Sequence, residues 1–164
     1  MDALTRTWPD SVERVAAYLL HSGAEARVEE FPAGTPTAQA AADAVGCALC
    51  QIVKSLVFEC DGRPVLAMIP GDRRADAHKV AAAAGSREAR VASPHRVAEI
   101  TGFEPGAVAP FPLPRVERSF IERTLLTADR VWVGAGSTRH MAGLAPAELV
   151  RLARATPHDI ASDD

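Results

Sequence analysis

The pattern of apolar and polar positions predicts short helices and strands in alternation. Apolar residues recur at helical spacing over Ser11–His21 and predict a first amphipathic helix. Thr37 is placed to cap a second helix over Ala38–Val45, which Gly46 ends. The run Gln51–Cys60 is rich in β-branched residues and predicts the strongest strand of the chain.

The rest of the chain continues the same mixture. Asp61-Gly62 predicts a tight turn, with Pro64–Ile69 as the antiparallel partner strand. Further strands are predicted over residues 27–31, 87–92, 115–121, 130–133 and 139–144, and further helices over 75–84, 94–101 and 146–155. We therefore predict one α+β domain over residues 1–155, built on a mixed, mostly antiparallel and barrel-like sheet flanked by helices. Residues 156–164 are predicted to form a mobile acidic tail.

Composition narrows the class of protein. The chain has 164 residues and 48% of them are hydrophobic, which excludes an intrinsically disordered chain. No apolar run approaches the roughly 18 residues that a membrane span needs, and Met1–Arg6 lacks the apolar segment of a signal peptide. Three cysteines are too few for a disulfide framework. We expect a cytoplasmic protein with no membrane partner.

The charged residues single out one lysine. Eighteen basic against 21 acidic residues give a formal net charge of −3, so bulk charge does not support nucleic-acid binding, although a local basic patch is compatible with it. The lysines are only two, Lys54 and Lys79. Lys54 stands inside an apolar strand, where an ammonium group is costly unless it meets an anion or opens onto a cavity. The alternative is an edge-strand lysine that reaches water.

Two glycine-containing segments are candidates for backbone contacts with a ligand. Gly134-Ala135-Gly136-Ser137 lacks the third glycine of a dinucleotide-binding loop, but its N–H groups can face an anion or a carbonyl oxygen. Gly106–Pro110 is a rigid loop that can present backbone groups in the same way. An ordinary hairpin turn and a crossover turn, respectively, are the alternatives.

The cysteines and histidines indicate no metal site. Cys47-Ala48-Leu49-Cys50 has the spacing of a ligand pair, but no second pair completes it and the five histidines share no ligand spacing. We interpret these cysteines as structural. No metal or other cofactor is expected.

Seven segments, in order from about Thr37 to Leu152, resemble the YbaK-like family. This family comprises free-standing aminoacyl-tRNA deacylases and the editing domain inserted into bacterial prolyl-tRNA synthetases. The segments are Thr37-Ala38 with the helix that follows, Gln51–Phe58, Pro70–Arg74, Ala92–Pro94, Gly102–Phe111, Val133–Ser137 with His140, and Leu144–Pro146 with Glu148-Leu149.

The resemblance implies the YbaK-like fold and hydrolysis by water of the ester between a wrong amino acid and the tRNA 3′ end. It implies that Lys54 holds the terminal adenosine and its phosphate, that the loop Gly106–Pro110 contacts the aminoacyl group, and that His140 selects the amino acid. The implied catalytic residues are Lys54, Gly106 and Gly136. The implied substrate-binding residues are Phe31, Thr37, Ser55, Ala107, Val108, Ala109, Pro110, Gly134, Ser137 and His140.

Three functional hypotheses follow. The first is a trans-editing deacylase that removes a small amino acid such as Ala or Cys from tRNA for proline, with aminoacyl-tRNA as substrate and a prolyl-tRNA synthetase as a candidate partner. The second is a module of the same fold that binds an RNA 3′ end or a nucleotide without hydrolysis. The third is a small-molecule hydrolase. Ala109 and Met141 stand where many relatives carry serine, which leaves the amino acid open.

Overall fold

The computed structural model describes residues 8–163, so the expectation for Met1–Arg6 lies outside the described residues. The helices are α1 (Asp10–His21), α2 (Ala38–Val45), α3 (Ala77–Ala84), α4 (Pro94–Thr101) and α5 (Pro146–Ala153). The strands are β1 (Val28–Glu30), β2 (Val53–Cys60), β3 (Arg63–Pro70), β4 (Ala89–Val91), β5 (Arg118–Glu122), β6 (Val131–Ser137), β7 (His140–Leu144) and β8 (Ala155–His158).

Helix caps fix several of these boundaries. The Thr37 hydroxyl accepts the Ala40 N–H at 3.0 Å at the start of α2, and the helix ends at Gly46 with φ of +77°. This conformation is common after a helix because glycine adopts positive φ without a steric penalty. The predicted bounds of α2 are confirmed.

The strands form two open sheets. One contains five strands in the order β4-β2-β3-β5-β8, and the other contains three in the order β1-β7-β6. The β2–β3 hairpin is antiparallel, whereas β3–β5 and β5–β8 are parallel. A single parallel bridge between Ile52 and Trp132 joins the two sheets. The predicted α+β domain with a mixed sheet is confirmed, but the barrel-like closure is wrong because no pairing within residues 8–163 joins β4 to β8.

The C-terminal segment belongs to the folded domain. Strand β8 pairs in parallel with β5, and the side chains of Ile160 and Ala161 that follow it are fully buried. Backbone pairing and apolar burial both fix this segment, so the prediction of a mobile tail from residue 156 is wrong for the residues described. Its acidic residues Asp159 and Asp163 each accept a hydrogen bond of 3.0 Å from Lys79.

The segment predicted as a glycine loop is also different in the structure. Gly134–Ser137 is the last part of β6, and the pairing register with β7 shifts between Gly134 and Ser137. Such an irregularity bends a strand and re-aims its side chains. The turn proper comes after it, between Ser137 and His140.

The main hydrophobic core lies between the two sheets and the helices around them. It includes Val15 from α1, Leu66 from β3, Val133 from β6 and Leu149 from α5, all fully buried. Within the described residues, no helix is long and apolar enough to cross a membrane.

Candidate active site

The candidate site lies where β2 is flanked by different strands at its two ends. At its C-terminal end, Phe58–Cys60 pairs with β4, whereas just before β2 Ile52 bridges to Trp132 of β6. Among the pairings described for this chain, Lys54–Leu56 has a strand partner only on the β3 side. The other edge of β2 is therefore open at these residues, and a cleft forms there.

The cleft contains a cavity of about 270 Å³. Four parts of the chain surround it: the segment before and into α2, strand β2, the loop from Gly106, and the β6–β7 hairpin. The lining residues are Thr35, Pro36, Thr37, Ala38, Ala41, Ile52, Val53, Lys54, Ser55, Leu56, Gly106, Ala107, Val108, Gly134, Ser137, Thr138, His140 and Met141.

Lys54 provides the ammonium group of this cavity. Its Nζ donates a hydrogen bond to the backbone carbonyl of Arg73, and within residues 8–163 no carboxylate forms a salt bridge with it. Burial lowers the pKa of Lys54, the Arg74 guanidinium lowers it further, and Asp72 acts in the opposite direction. The charge is thus partly desolvated and is not neutralised by an ion pair, which suits an anionic ligand.

The loop from Gly106 brings backbone donors to the same cavity. The Ala107 N–H is used, since it donates to the Glu104 carbonyl at 2.9 Å. The N–H groups of Gly106 and Val108 donate to no described group. A Cβ on Gly134 would lie 3.3 Å from the Val108 carbonyl oxygen, so β6 and this loop approach closely because residue 134 has no side chain.

Ser137 and His140 also line the cavity. Ser137 Oγ lies 2.6 Å from Nδ1 of His140 and also accepts the Arg139 N–H at 2.9 Å. His140 is only 3% exposed, and the ring of Trp8 packs edge-on against it with 5.2 Å between centroids. The imidazole is consequently held in one place in the wall.

Nine of the thirteen predicted site residues line the cavity and four do not. Gly136 packs against the first turn of α1, where its carbonyl accepts a 2.8 Å hydrogen bond from Ser11. Phe31 packs edge-on against Trp132 with 6.4 Å between ring centroids. Ala109 is fully buried in the main core, and Pro110 beside it is buried as well.

The structure adds residues that were not predicted for the site. Thr138 and Met141 line the cavity beside Ser137 and His140, and the Thr138 carbonyl accepts the Thr35 N–H at 2.5 Å. Each of them directly follows a predicted site residue, Ser137 or His140, and this adjacency could have indicated both. Of Ala109 and Met141, the two departures from the family resemblance, only Met141 lines the cavity.

The cysteines lie outside the cavity lining, and its one His, Cys, Asp or Glu residue among those described is His140. Within residues 8–163, no three His, Cys, Asp or Glu side chains are grouped to hold a metal ion. None of the three cysteines lines the cavity. Burial raises the pKa of the Cys47 thiol, and nearby Cys50 adds to the effect, so this thiol is not activated as a nucleophile.

Comparison with known proteins agrees with this geometry. The sequence model of the aminoacyl-tRNA editing domain matches residues 32–152. A crystal structure of a candidate trans-editing enzyme for prolyl tRNA synthetase superposes with a TM-score of 0.89 at 34% identity, covering 95% of this chain and 99% of that one.

Two curated relatives extend the comparison. The multifunctional Ser/Thr-tRNA deacylase ProXp-y of Escherichia coli is 35% identical over 121 residues, which are 71% of this chain and 68% of the relative. A proline–tRNA ligase of Maridesulfovibrio salexigens is 31% identical over 119 residues, 73% of this chain but only 20% of the ligase. The chain belongs to the aminoacyl-tRNA editing domain family.

Proposed function

We propose that this protein is a trans-editing aminoacyl-tRNA deacylase, and that it acts on tRNA for proline charged with a small amino acid such as Ala or Cys. The observation that carries the proposal is one cavity lined by Lys54, whose ammonium makes no salt bridge within residues 8–163, and by Gly106 and Val108, whose N–H groups donate to no described group. In the reaction, a water oxygen attacks the ester carbonyl carbon and the bond to the terminal ribose oxygen breaks. The ribose oxygen takes up a proton, and the amino acid leaves.

Each group has a role that its chemistry fits. Lys54 binds the terminal adenosine and its phosphate, because a partly desolvated cation attracts a phosphate strongly and no carboxylate within residues 8–163 forms a salt bridge with it. The N–H groups of Gly106 and Val108 stabilise the oxyanion that forms on the carbonyl. The water is oriented by the backbone and by the substrate's own ribose hydroxyl, so no protein nucleophile is needed.

The size of the cavity supports a small amino acid. Its volume of about 270 Å³ lies just below the range of about 300–1,000 Å³ typical of small-molecule sites. Ser55 lines it, and its hydroxyl is buried with no hydrogen-bond partner within residues 8–163. A ligand group that satisfied this hydroxyl would recover part of the free energy of an unmade hydrogen bond. Serine and threonine esters, named for the relative from E. coli, are the next substrates to test.

A prolyl-tRNA synthetase is the proposed partner, because most of this chain is similar to a part of the proline–tRNA ligase that makes up 20% of that enzyme. The formal net charge of −3 gives no general attraction to RNA, so recognition of the tRNA rests on contacts at the acceptor end or on this partner.

The test is deacylation of tRNA for proline charged with Ala, Cys, Ser or Pro, measured with the wild type, Lys54→Ala and Arg90→Ala. Arg90 is an exposed β4 residue paired with Glu88, away from the cavity lining, and serves as the matched loss of one positive charge. We expect loss of Ala or Cys with the wild type and Arg90→Ala, none with Lys54→Ala, and survival of the prolyl ester. Survival of every ester with the wild type, while the RNA still binds, would reject the deacylase and favour a non-catalytic binding module.

A further inference from the structure

We propose that Arg73 and Glu122 are positioning residues for Lys54: they hold the backbone carbonyl that receives the lysine ammonium. The significance of this for activity rests on the proposed function, whereas the geometry stands without it. Neither residue lines the cavity. Arg73 belongs to the segment Pro70–Arg74 that carries the family resemblance, but no role was predicted for it, and no sequence pattern pointed to Glu122.

Lys54 contacts the loop after β3. Its Nζ donates to the Arg73 carbonyl, the one hydrogen-bond partner of this ammonium within residues 8–163. A carbonyl orients an ammonium group without cancelling its charge, whereas a carboxylate in the same place would compete with a substrate phosphate. The position of this one carbonyl therefore sets where the lysine charge lies.

The Arg73 carbonyl is held in place by contacts of the Arg73 side chain and of the backbone that follows. The side chain of Arg73 turns away from the cavity, where Nη2 donates to the Ser162 carbonyl at 2.7 Å and Nη1 lies 3.6 Å from Oε2 of Glu122. The backbone that follows Arg73 is tied to the same C-terminal segment, because the Ser162 N–H donates to the Arg74 carbonyl at 2.7 Å and the Asp76 N–H to the Ile160 carbonyl at 2.9 Å.

The Arg73 side chain is in turn paired with the buried carboxylate of Glu122. Glu122 is 1% exposed, and one of its oxygens accepts the N–H groups of Ile160 at 2.9 Å and Ala161 at 3.1 Å. The other accepts the Thr124 N–H at 2.9 Å and faces Arg73. A buried carboxylate needs such partners to remain charged. Glu122 thus joins β5 to the C-terminal segment and to Arg73. Its carboxylate faces the Arg73 side chain and does not contact Lys54, which bonds to the Arg73 carbonyl.

The test uses the fact that the chain has only two lysines, Lys54 and Lys79. Lysine labelled with ¹³C at Cε and ¹⁵N at Nζ gives two side-chain NMR signals, which Lys54→Ala assigns. Lys79 bonds to Asp159 and Asp163, so its signal reports whether the C-terminal segment is still in place. No substrate is needed for this measurement.

We expect Arg73→Met to lower the order parameter of the Lys54 side chain to that of a solvent-exposed lysine. Arg74→Met is the matched control: Arg74 forms no side-chain hydrogen bond within residues 8–163, so order should be kept while the pKa of Lys54 rises. Glu122→Gln should reduce the order of Lys54 in the same way as Arg73→Met. Because the buried Glu122 variant is at risk of not folding, its Lys79 signal is checked first, and Arg73→Met tests the role of Arg73 independently of it. An unchanged Lys54 order parameter in Arg73→Met overturns the proposal.

The consequence for the reaction is measured by a double-mutant cycle with Lys54→Ala. In the wild-type background, Arg73→Met should lower kcat/KM for deacylation by between about tenfold and a hundredfold, the range expected when a catalytic group is misplaced. It should also weaken binding of a non-hydrolysable aminoacyl-RNA analogue by about tenfold, and this binding is the quantity compared in the cycle. In the Lys54→Ala background the same change should alter binding of a non-hydrolysable aminoacyl-RNA analogue by less than about twofold. Equal effects in both backgrounds would overturn the proposal. If the wild type deacylates nothing, the proposed function fails, and the NMR result still decides whether Arg73 positions Lys54.

Discussion

The side chains of Ser137 and His140 contact each other across the β6–β7 turn, with 2.6 Å between the serine Oγ and the imidazole Nδ1. The two residues are also paired in the register of the hairpin, across the point where that register shifts. One wall of the cavity is therefore set by a local contact within four residues, and the other walls depend on distant parts of the chain.

Removal of this contact should relax selection of the amino acid. We predict that Ser137→Ala lowers the ratio of kcat/KM for alanyl over threonyl esters by about three- to tenfold, because loss of one hydrogen bond of roughly 1 kcal/mol lets the ring move. Deacylation of a matched pair of charged tRNAs measures the ratio. Ser137→Thr keeps the hydroxyl and should restore most of it. An unchanged ratio in Ser137→Ala would contradict a role for this pair in selection.

Binding of the RNA end should weaken as pH rises into the alkaline range. Burial lowers the native pKa of Lys54 below its ordinary value of 10.5, so the lysine loses its charge at a lower pH than a free lysine does. We predict that affinity for a non-hydrolysable aminoacyl-adenosine analogue falls with pH through this native pKa. Calorimetric titration at several pH values measures the effect. Lys54→Arg, which stays charged, should remove the decrease, and a decrease of the same size there would point to another group.

The close approach at Gly134 should matter more for activity than for stability. In Gly134→Ala the added Cβ would lie 3.3 Å from the Val108 carbonyl oxygen, so the loop must move by a few tenths of an ångström. We predict a fall in kcat of about tenfold or more, since backbone donors work only at the right distance. Thermal unfolding should show a small change in Tm. Full activity in this variant would show that the loop can yield without loss of function.

Gly136 should be needed for folding stability. Its φ is +102°, and a Cβ there would lie 2.7 Å from the Ser11 backbone carbonyl oxygen. We predict that Gly136→Ala lowers the free energy of unfolding by about 3 kcal/mol, from backbone strain together with this clash. Gly85→Ala is the control, because Gly85 has φ of +69° with no atom within 4 Å of the added Cβ, and should lower it by about 1 kcal/mol. Equal losses in urea unfolding would remove the argument from the α1 contact.

Glu122 should stabilise the fold at neutral pH and cease to do so in acid. Burial acts to raise its pKa, but the N–H donors of Thr124, Ile160 and Ala161 outweigh burial and bring the pKa below the usual 4.5. A carboxylate with a lowered native pKa contributes stability above its unfolded pKa and loses it as pH falls through the native pKa. The difference in free energy of unfolding between wild type and Glu122→Gln should therefore shrink as pH falls below about 4.5. A constant difference in urea unfolding from neutral to acidic pH would contradict this.

Local signals in the sequence account for much of the fold. Thr37 with Gly46, and Ser93 with Pro94, mark helix ends by interactions within a few residues, and the structure has caps at both places. Strand β8 gave no such signal. Its residues Ala155–His158 include a proline and pair in parallel with β5, more than 30 residues earlier in the chain. Parallel pairing at a sheet edge depends on the tertiary structure and leaves little trace in a four-residue segment.

The site residues likewise divide into those that the sequence could predict and those that it could not. Lys54 could be singled out because an ammonium group in an apolar strand needs a partner. Arg73 could not, since its part in the site is played by a backbone carbonyl and by a side chain directed away from the cavity. Ala109 stands beside the cavity-lining Val108, but it packs in the main core, where it is fully buried.

The late position of β8 in the chain has a consequence for synthesis on the ribosome. Lys54 and the whole cavity lining are translated before Ser162, which holds the Arg73 side chain. While residues 155–163 are still inside the exit tunnel, β5 lacks its outer neighbour and the loop after β3 lacks its anchor. A nascent chain at this stage can contain the hairpin β2–β3 and yet have no fixed place for its lysine. Competence for the reaction would then arise only after residues 155–163 have left the tunnel and docked against β5 and the loop after β3.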